Sequence, residues 1–222
     1  MTVAAVILIP DPAAALADAD GVSAIRRVVQ AAWAGGALPI VTVSRPGDEA
    51  GRVRDEIAGL PASLLQPADL PPGARWFGHG LSEASTRVTE TTAALLWPCR
   101  YAWVDPETVT SLIEAHGASP DAIVRPAFSG EPGFPMLVPI GLRGRFDAET
   151  ALHAYELVAA LLEEGLPGRI LELGDPGITH DMATPRAGLP GYQGPPEPAS
   201  GSPAEWNADL AAQVERSSES TP

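Results

Sequence analysis

At 222 residues, 45% of them hydrophobic and 19% charged, the chain has the size and composition of one sizeable domain or one domain with a tail, which excludes disorder throughout. Its 28 Asp+Glu against 14 basic residues leave a net charge of -14, which repels phosphate backbones and anionic membranes and excludes nucleic acid and membrane surfaces as partners. Every basic residue is Arg and Cys99 is the only cysteine, so the protein supplies no Schiff-base or phosphate-clamping lysine, no intrachain disulfide and no multi-cysteine metal centre.

In chain order, Val3 to Ile9 is a branched apolar run suited to a strand buried on both faces, and Met1 to Pro10 reads as that strand, not as a signal peptide. Val22 to Trp33 carries apolar residues at helical spacing and closes on Gly35-Gly36, and Leu38 to Val43 is a second buried strand. Together they make a right-handed βαβ unit. A helix is expected over Glu49 to Ala58, a short strand over Ser63 to Leu65 and a helix over Ser82 to Leu96, closed by Pro98. Tyr101 to Val104 is a short aromatic segment, and Asp105-Pro106 opens a helix running through His116. Ala122 to Arg125 and Met136 to Ile140 read as strands around a Pro/Gly loop, Ala148 to Glu164 as the best helix, and Arg169 to Leu173 as a strand. From Arg186 onward Pro, Gly, Ser and Glu dominate; residues 1–192 are read as the domain and 193–222 as a disordered tail, in which Trp206, Leu210 and Val214 could form a short anchoring helix. No apolar stretch is long enough to span a membrane, and the single thiol suits a reducing, cytoplasmic setting.

Each candidate for chemistry has a plainer structural reading beside it. The turn after the first strand, Pro10 to Gly21, holds two prolines without N–H groups, three acids, one glycine and no base, so it reads as a solvated loop that would repel a triphosphate. Asp105 is a candidate metal ligand but also a helix N-cap, and Asp175 and Asp181 flank a turn that could offer a carboxylate to magnesium or could serve turn geometry alone. His79, His116, His153 and His180 form no pair at ligand spacing, Cys99 reads as a small core residue, and Trp33, Trp97 and Trp103 as core.

Ile123-Val124-Arg125-Pro126-Ala127-Phe128-Ser129-Gly130-Glu131-Pro132-Gly133-Phe134-Pro135-Met136-Leu137 resembles the strand, Pro, Gly, Gly-x-Pro and strand run of one family, the MobA-like nucleotidyltransferases that attach CMP or GMP to molybdopterin. Gly174 to Pro185 is similar to that family's late Asp-Pro-Gly and Asp-x-Asp-Thr-Pro segment, Gly80 to Ser85 to the Gly and Ser before its central helix, and Val3 to Val43 to its first βαβ unit. The likeness spans residues 1–192 in order. It implies a Rossmann-like three-layer α/β/α fold with a mostly parallel sheet, of nucleotidyltransferase type. It also implies Ser85, Arg125, Pro126, Gly130, Gly133 and Pro135 as substrate-binding candidates, and Asp181 and Asp105 as ligands for Mg if the protein is active.

The departures fall on the chemistry. Where the family's first loop is glycine-rich and ends in lysine, this chain has Leu8-Ile9-Pro10-Asp11-Pro12-Ala13-Ala14; Trp103 stands near the place of the metal carboxylate, and Ala183 replaces the second late carboxylate beside Asp181. The Gly-Asp-x-Gly-Ala-Arg element is also missing, with Leu152 to Leu162 in its place. The resemblance therefore leads to a nucleotidyltransferase-like protein that is catalytically degenerate. Such a protein would act by binding a nucleotide or molybdopterin-type ligand, or by assembly with itself or an active relative. An active Mg-dependent transferase with an atypical site is the alternative.

Overall fold

The computed structural model describes residues 2–68 and 73–194. Strand β1 (Thr2–Ile9) is the centre of a parallel set: it pairs with β2 (Ile40–Ser44) on one side and β4 (Thr91–Pro98) on the other, and β2 pairs with β3 (Ala62–Leu65). Beyond β4 the sheet turns antiparallel through β7 (Met136–Pro139), then continues to β5 (Ile123–Phe128), which carries the two-residue β6 (Glu131–Pro132) and, in parallel, β8 (Gly168–Glu172). The order β3-β2-β1-β4 reverses direction between β1 and β4. That reversal opens a crevice beyond their C-terminal ends.

Alternation along β1 builds two apolar cores. Val3, Ala5, Ile7 and Ile9 point to one face, where α2 (Ala24–Ala34), α3 (Asp48–Glu56) and α5 (Pro106–Ala118) cover them; Ala4 and Val6 point to the other, under α4 (Ala74–Arg87), α6 (Arg143–Ala148) and α7 (Ala154–Glu163). This is the expected three-layer α/β/α arrangement. Gly80 lets α4 lie directly on β1, since a Cβ there would overlap the branched side chain of Val6. A four-residue helix, α1 (Pro12–Ala15), follows β1 directly.

Several expected elements are redrawn. Ser82 to Leu96 is not one helix: α4 ends at Arg87, and Thr91 to Pro98 is the central strand. Ala and Leu favour helix locally, but a segment lying between β1 and β7 is a strand whatever its propensity. Tyr101 to Val104 is consequently a turn connecting β4 to α5. Ala148 to Glu164 divides because the Glu149 carboxylate accepts the N–H groups of Thr150, Ala151 and Leu152 at 2.8, 2.7 and 3.1 Å, breaking the helix before Glu156 caps α7 through the His153 N–H. Ile140 opens a 3₁₀ turn instead of ending β7. Trp33 is 51% exposed, lying about a quarter-turn from the centre of the α2 apolar stripe, whereas Trp97 is buried. Residues 186–194 pack back on the domain, Gln193 N–H donating to the Gly174 carbonyl at 2.7 Å; the remaining tail, with Trp206, Leu210 and Val214, lies outside the described residues. Among the described residues no helix is long and apolar enough to cross a membrane.

His116 ends up fully buried in the last turn of α5, its Nε2 3.0 Å from Thr92 Oγ1 and its Nδ1 without a partner. Burial depresses its pKa below the usual imidazole value, only partly offset by Asp121. The unfolded chain therefore binds the proton more readily, so stability is full above about pH 6.5 and declines as pH falls toward the folded-state value. Urea unfolding at about pH 7.5 and about pH 5.5 checks this: the midpoint is expected to fall on acidification, and a His116→Gln variant is expected to lose less of it.

Candidate active site crevice

At the switch point the C-terminal ends of β1 and β4 meet the first turns of α4 and α7. Leu8, Pro10, Leu96 and Pro98 from the strands, Gly73 and Trp76 from α4, His153 to Tyr155 from α7, Phe134 from the β6–β7 connection and Arg100 enclose a cavity of about 190 Å³. Its walls are aromatic: Phe134 lies 4.7 Å from the Tyr101 ring and 6.4 Å from Tyr155, and Tyr155 stacks on His153 at 5.7 Å. A shallower cleft of about 470 Å³ adjoins it along the ends of β1 and β2, between the Pro10-Asp11-Pro12 turn and Arg45 to Ala50.

Several carboxylates near this crevice are already engaged by backbone donors. Asp11 caps the short helix after β1, its Oδ1 accepting from Ala13 N–H at 3.1 Å, and Pro12 offers no N–H at the first helical position. Asp105 caps α5 as expected, accepting from Glu107 N–H at 3.0 Å. Asp175 is 2% exposed and accepts three bonds, from Asp105 N–H at 2.8 Å, Thr108 Oγ1 at 2.7 Å and Gly177 N–H at 2.8 Å. Burial nevertheless raises its pKa above the ordinary carboxylate value, the hydrogen bonds pulling the other way. Asp181 accepts from Ala183 N–H at 2.9 Å and faces Arg100 Nε at 3.5 Å.

These carboxylates do not fit a divalent cation. Magnesium asks for several free oxygens around one point. Here Asp105 and Asp175 serve one helix start and Asp181 answers an arginine, and among the described residues no three His, Cys, Asp or Glu side chains converge on a metal position. With β4 correctly placed, the residues that follow the central strand are Cys99 and Arg100. Trp103 stands further along, its indole N–H donating to the Thr184 carbonyl at 2.9 Å and Arg27 lying 5.4 Å above its ring. Cys99 is buried, which pushes its thiol up to about 12 and leaves it inert as a nucleophile.

The substrate-binding candidates separate. Pro126, Gly133 and Pro135 come together beneath Phe134: Gly133 N–H donates to the Pro126 carbonyl at 2.9 Å, and a Cβ on Gly133 would overlap the Ile178 backbone. Gly130, with φ +80° after Ser129 at +54°, forms the two-residue turn between β5 and β6. Arg125 is half-buried within β5. Ser85 is near the C-terminal end of α4, at the opposite edge of the sheet from the crevice, with its Oγ donating to the Leu81 carbonyl at 2.9 Å. Trp76, Arg100 and Tyr155 were not picked out by sequence reasoning, which weighed His153 only as one of four unpaired histidines and met Phe134 only inside the Pro/Gly run. The one signal that could have found Arg100 is a strand boundary at Pro98.

The fold and crevice define a nucleotidyltransferase-type α/β domain. The sequence model of the MobA-like NTP transferase domain matches residues 14–166, and the chain belongs to that family. A search of curated protein sequences gives no significant match. Among solved structures it is similar to Rv0371C of Mycobacterium tuberculosis H37Rv in complex with manganese, at 19% identity and TM-score 0.62 over 78% of this chain and 89% of that one. It is also similar to a nucleotidyl transferase of Methanothermobacter, Mth528, at 18% identity and TM-score 0.62 over 77% and 87% of the two chains. CMP:2-keto-3-deoxy-manno-octonic acid synthetase complexed with CTP shares the fold at 13% identity and TM-score 0.59 over 97% and 100%.

Replacing Asp175 with Ala leaves three inward donors without an acceptor. A loss of about 3 kcal/mol of folding stability is expected in denaturant unfolding.

Proposed function

We propose that this chain keeps the nucleotidyltransferase scaffold without the transfer reaction, and works by binding, either of a ligand in the β1–β4 crevice or of another protein chain. The observation that carries this reading is the Asp11 cap. A triphosphate needs free amide donors and basic groups at that turn, and the turn offers a carboxylate already bonded to Ala13 N–H, flanked by Pro10 and Pro12. Nucleotidyl transfer moves negative charge through a pentavalent phosphorus, so catalysis is mostly charge neutralisation by metal and cations. Among the described residues Arg100 is the one arginine lining this cavity, and it is shared with Asp181.

What remains at the crevice is a positioning surface. Asp175 locks the turn after β8 onto the start of α5, while Met182 N–H donating to the Arg100 carbonyl at 3.0 Å holds the arginine's loop in place. A crystallised relative of this fold holds CTP, which makes CTP the natural test ligand. Titration calorimetry of the full chain with CTP or GTP and Mg is expected to show no metal-dependent binding in the micromolar range. Micromolar, metal-dependent affinity for either nucleotide would instead support a working transferase built on Asp105 and Asp181.

A further inference from the structure

In a chain carrying a net charge of -14, this cavity inverts the local sign: among the described residues its lining holds one arginine and no aspartate or glutamate. The Arg100 side chain is 56% exposed at the mouth, and its named contacts are long, Nε to Asp181 at 3.5 Å and Nη2 to the Tyr101 hydroxyl at 3.4 Å. A guanidinium has five N–H donors in a flat fork. Most of that fork remains available for a planar acceptor, and bidentate pairing with a carboxylate is its strongest use.

The interior selects the other half of the ligand. Leu8, Leu96 and Trp76 make an apolar floor, and Phe134 and Tyr155 stand as aromatic walls set at 87° to one another. Such walls favour a flat ring through edge-to-face and stacked contacts. A volume of about 190 Å³ has room for one six-membered ring and its carboxylate. The first turns of α4 and α7 both border the cavity, and their positive ends reinforce the preference for an anion.

We propose that the cavity at the β1–β4 switch point binds a small aromatic carboxylate, with its ring between Trp76, Phe134 and Tyr155 and its carboxylate on the Arg100 guanidinium. This rests on the non-transferring reading of the crevice and names the ligand class that the crevice takes. A single guanidinium balances one carboxylate, whereas a triphosphate would leave several charges unmatched beside Asp11 and Asp181.

Calorimetry or ligand-observed NMR on the full chain with benzoate, benzamide and acetate, without nucleotide or metal, tests it. Benzoate is expected to bind, with benzamide and acetate each weaker by about tenfold or more. Arg100→Gln is expected to bring benzoate down to the benzamide level with the unfolding transition unchanged, and Tyr155→Ala to weaken benzoate and benzamide together. Absence of benzoate binding up to millimolar concentration, equal affinity for benzamide or acetate, or full benzoate affinity in Arg100→Gln would overturn the proposal. Those failures leave the non-transferring reading standing; metal-dependent CTP binding would remove that reading whatever benzoate does.

Discussion

Backbone amides and carboxylates along the C-terminal edge of this sheet neutralise one another. Asp11, Asp105, Glu149, Asp175 and Asp181 each accept from at least one main-chain N–H group. The Ala13, Glu107, Gly177 and Ala183 amides are thereby occupied, as is at least one oxygen of each carboxylate that accepts from them. These hydrogen bonds hold the loops beyond the strand ends, and on them rests the proposal that the transfer reaction is lost.

The scaffold is unaffected because its stability comes from elsewhere. β1, β2 and β4 bury branched and aromatic side chains on both faces, and the helices that cover them approach closely at Gly80 against Val6. Folding of such a sheet depends on apolar burial, which is indifferent to what lies beyond the strand ends. The family scaffold therefore persists at 19% identity to a manganese-bound structural relative. Among the described residues, the cavity at the rim presents aromatic walls and one arginine.

The first βαβ unit was legible because continuous branched runs, the helical spacing of Val22 to Trp33 and the Gly35-Gly36 stop all agree. The Asp105-Pro106 helix start and the Pro126 to Pro135 loop were equally plain, since caps and turn residues act locally. Two segments misled. Thr91 to Pro98 carries helix-favouring Ala and Leu, and only its place between β1 and β7 makes it a strand; Glu149 breaks a helix by a carboxylate geometry that periodicity does not register. That boundary error hid Arg100 as the residue just past the central strand. The cavity was illegible for a different reason. Its walls come from β1, α4, β4, the β6–β7 connection and α7, and no local pattern announces that Trp76, Phe134 and Tyr155 share a space.

Amide NMR of the isotopically labelled chain, titrated with Mn in the presence of CTP, probes these bonds one by one, since a bound Mn ion broadens nearby signals whether or not an acceptor substrate is present. The Ala13, Glu107, Gly177 and Ala183 amides are expected to keep their positions and intensities. Broadening centred on those amides at stoichiometric metal would show that the rim still gathers a cation and a triphosphate, and would contradict the account.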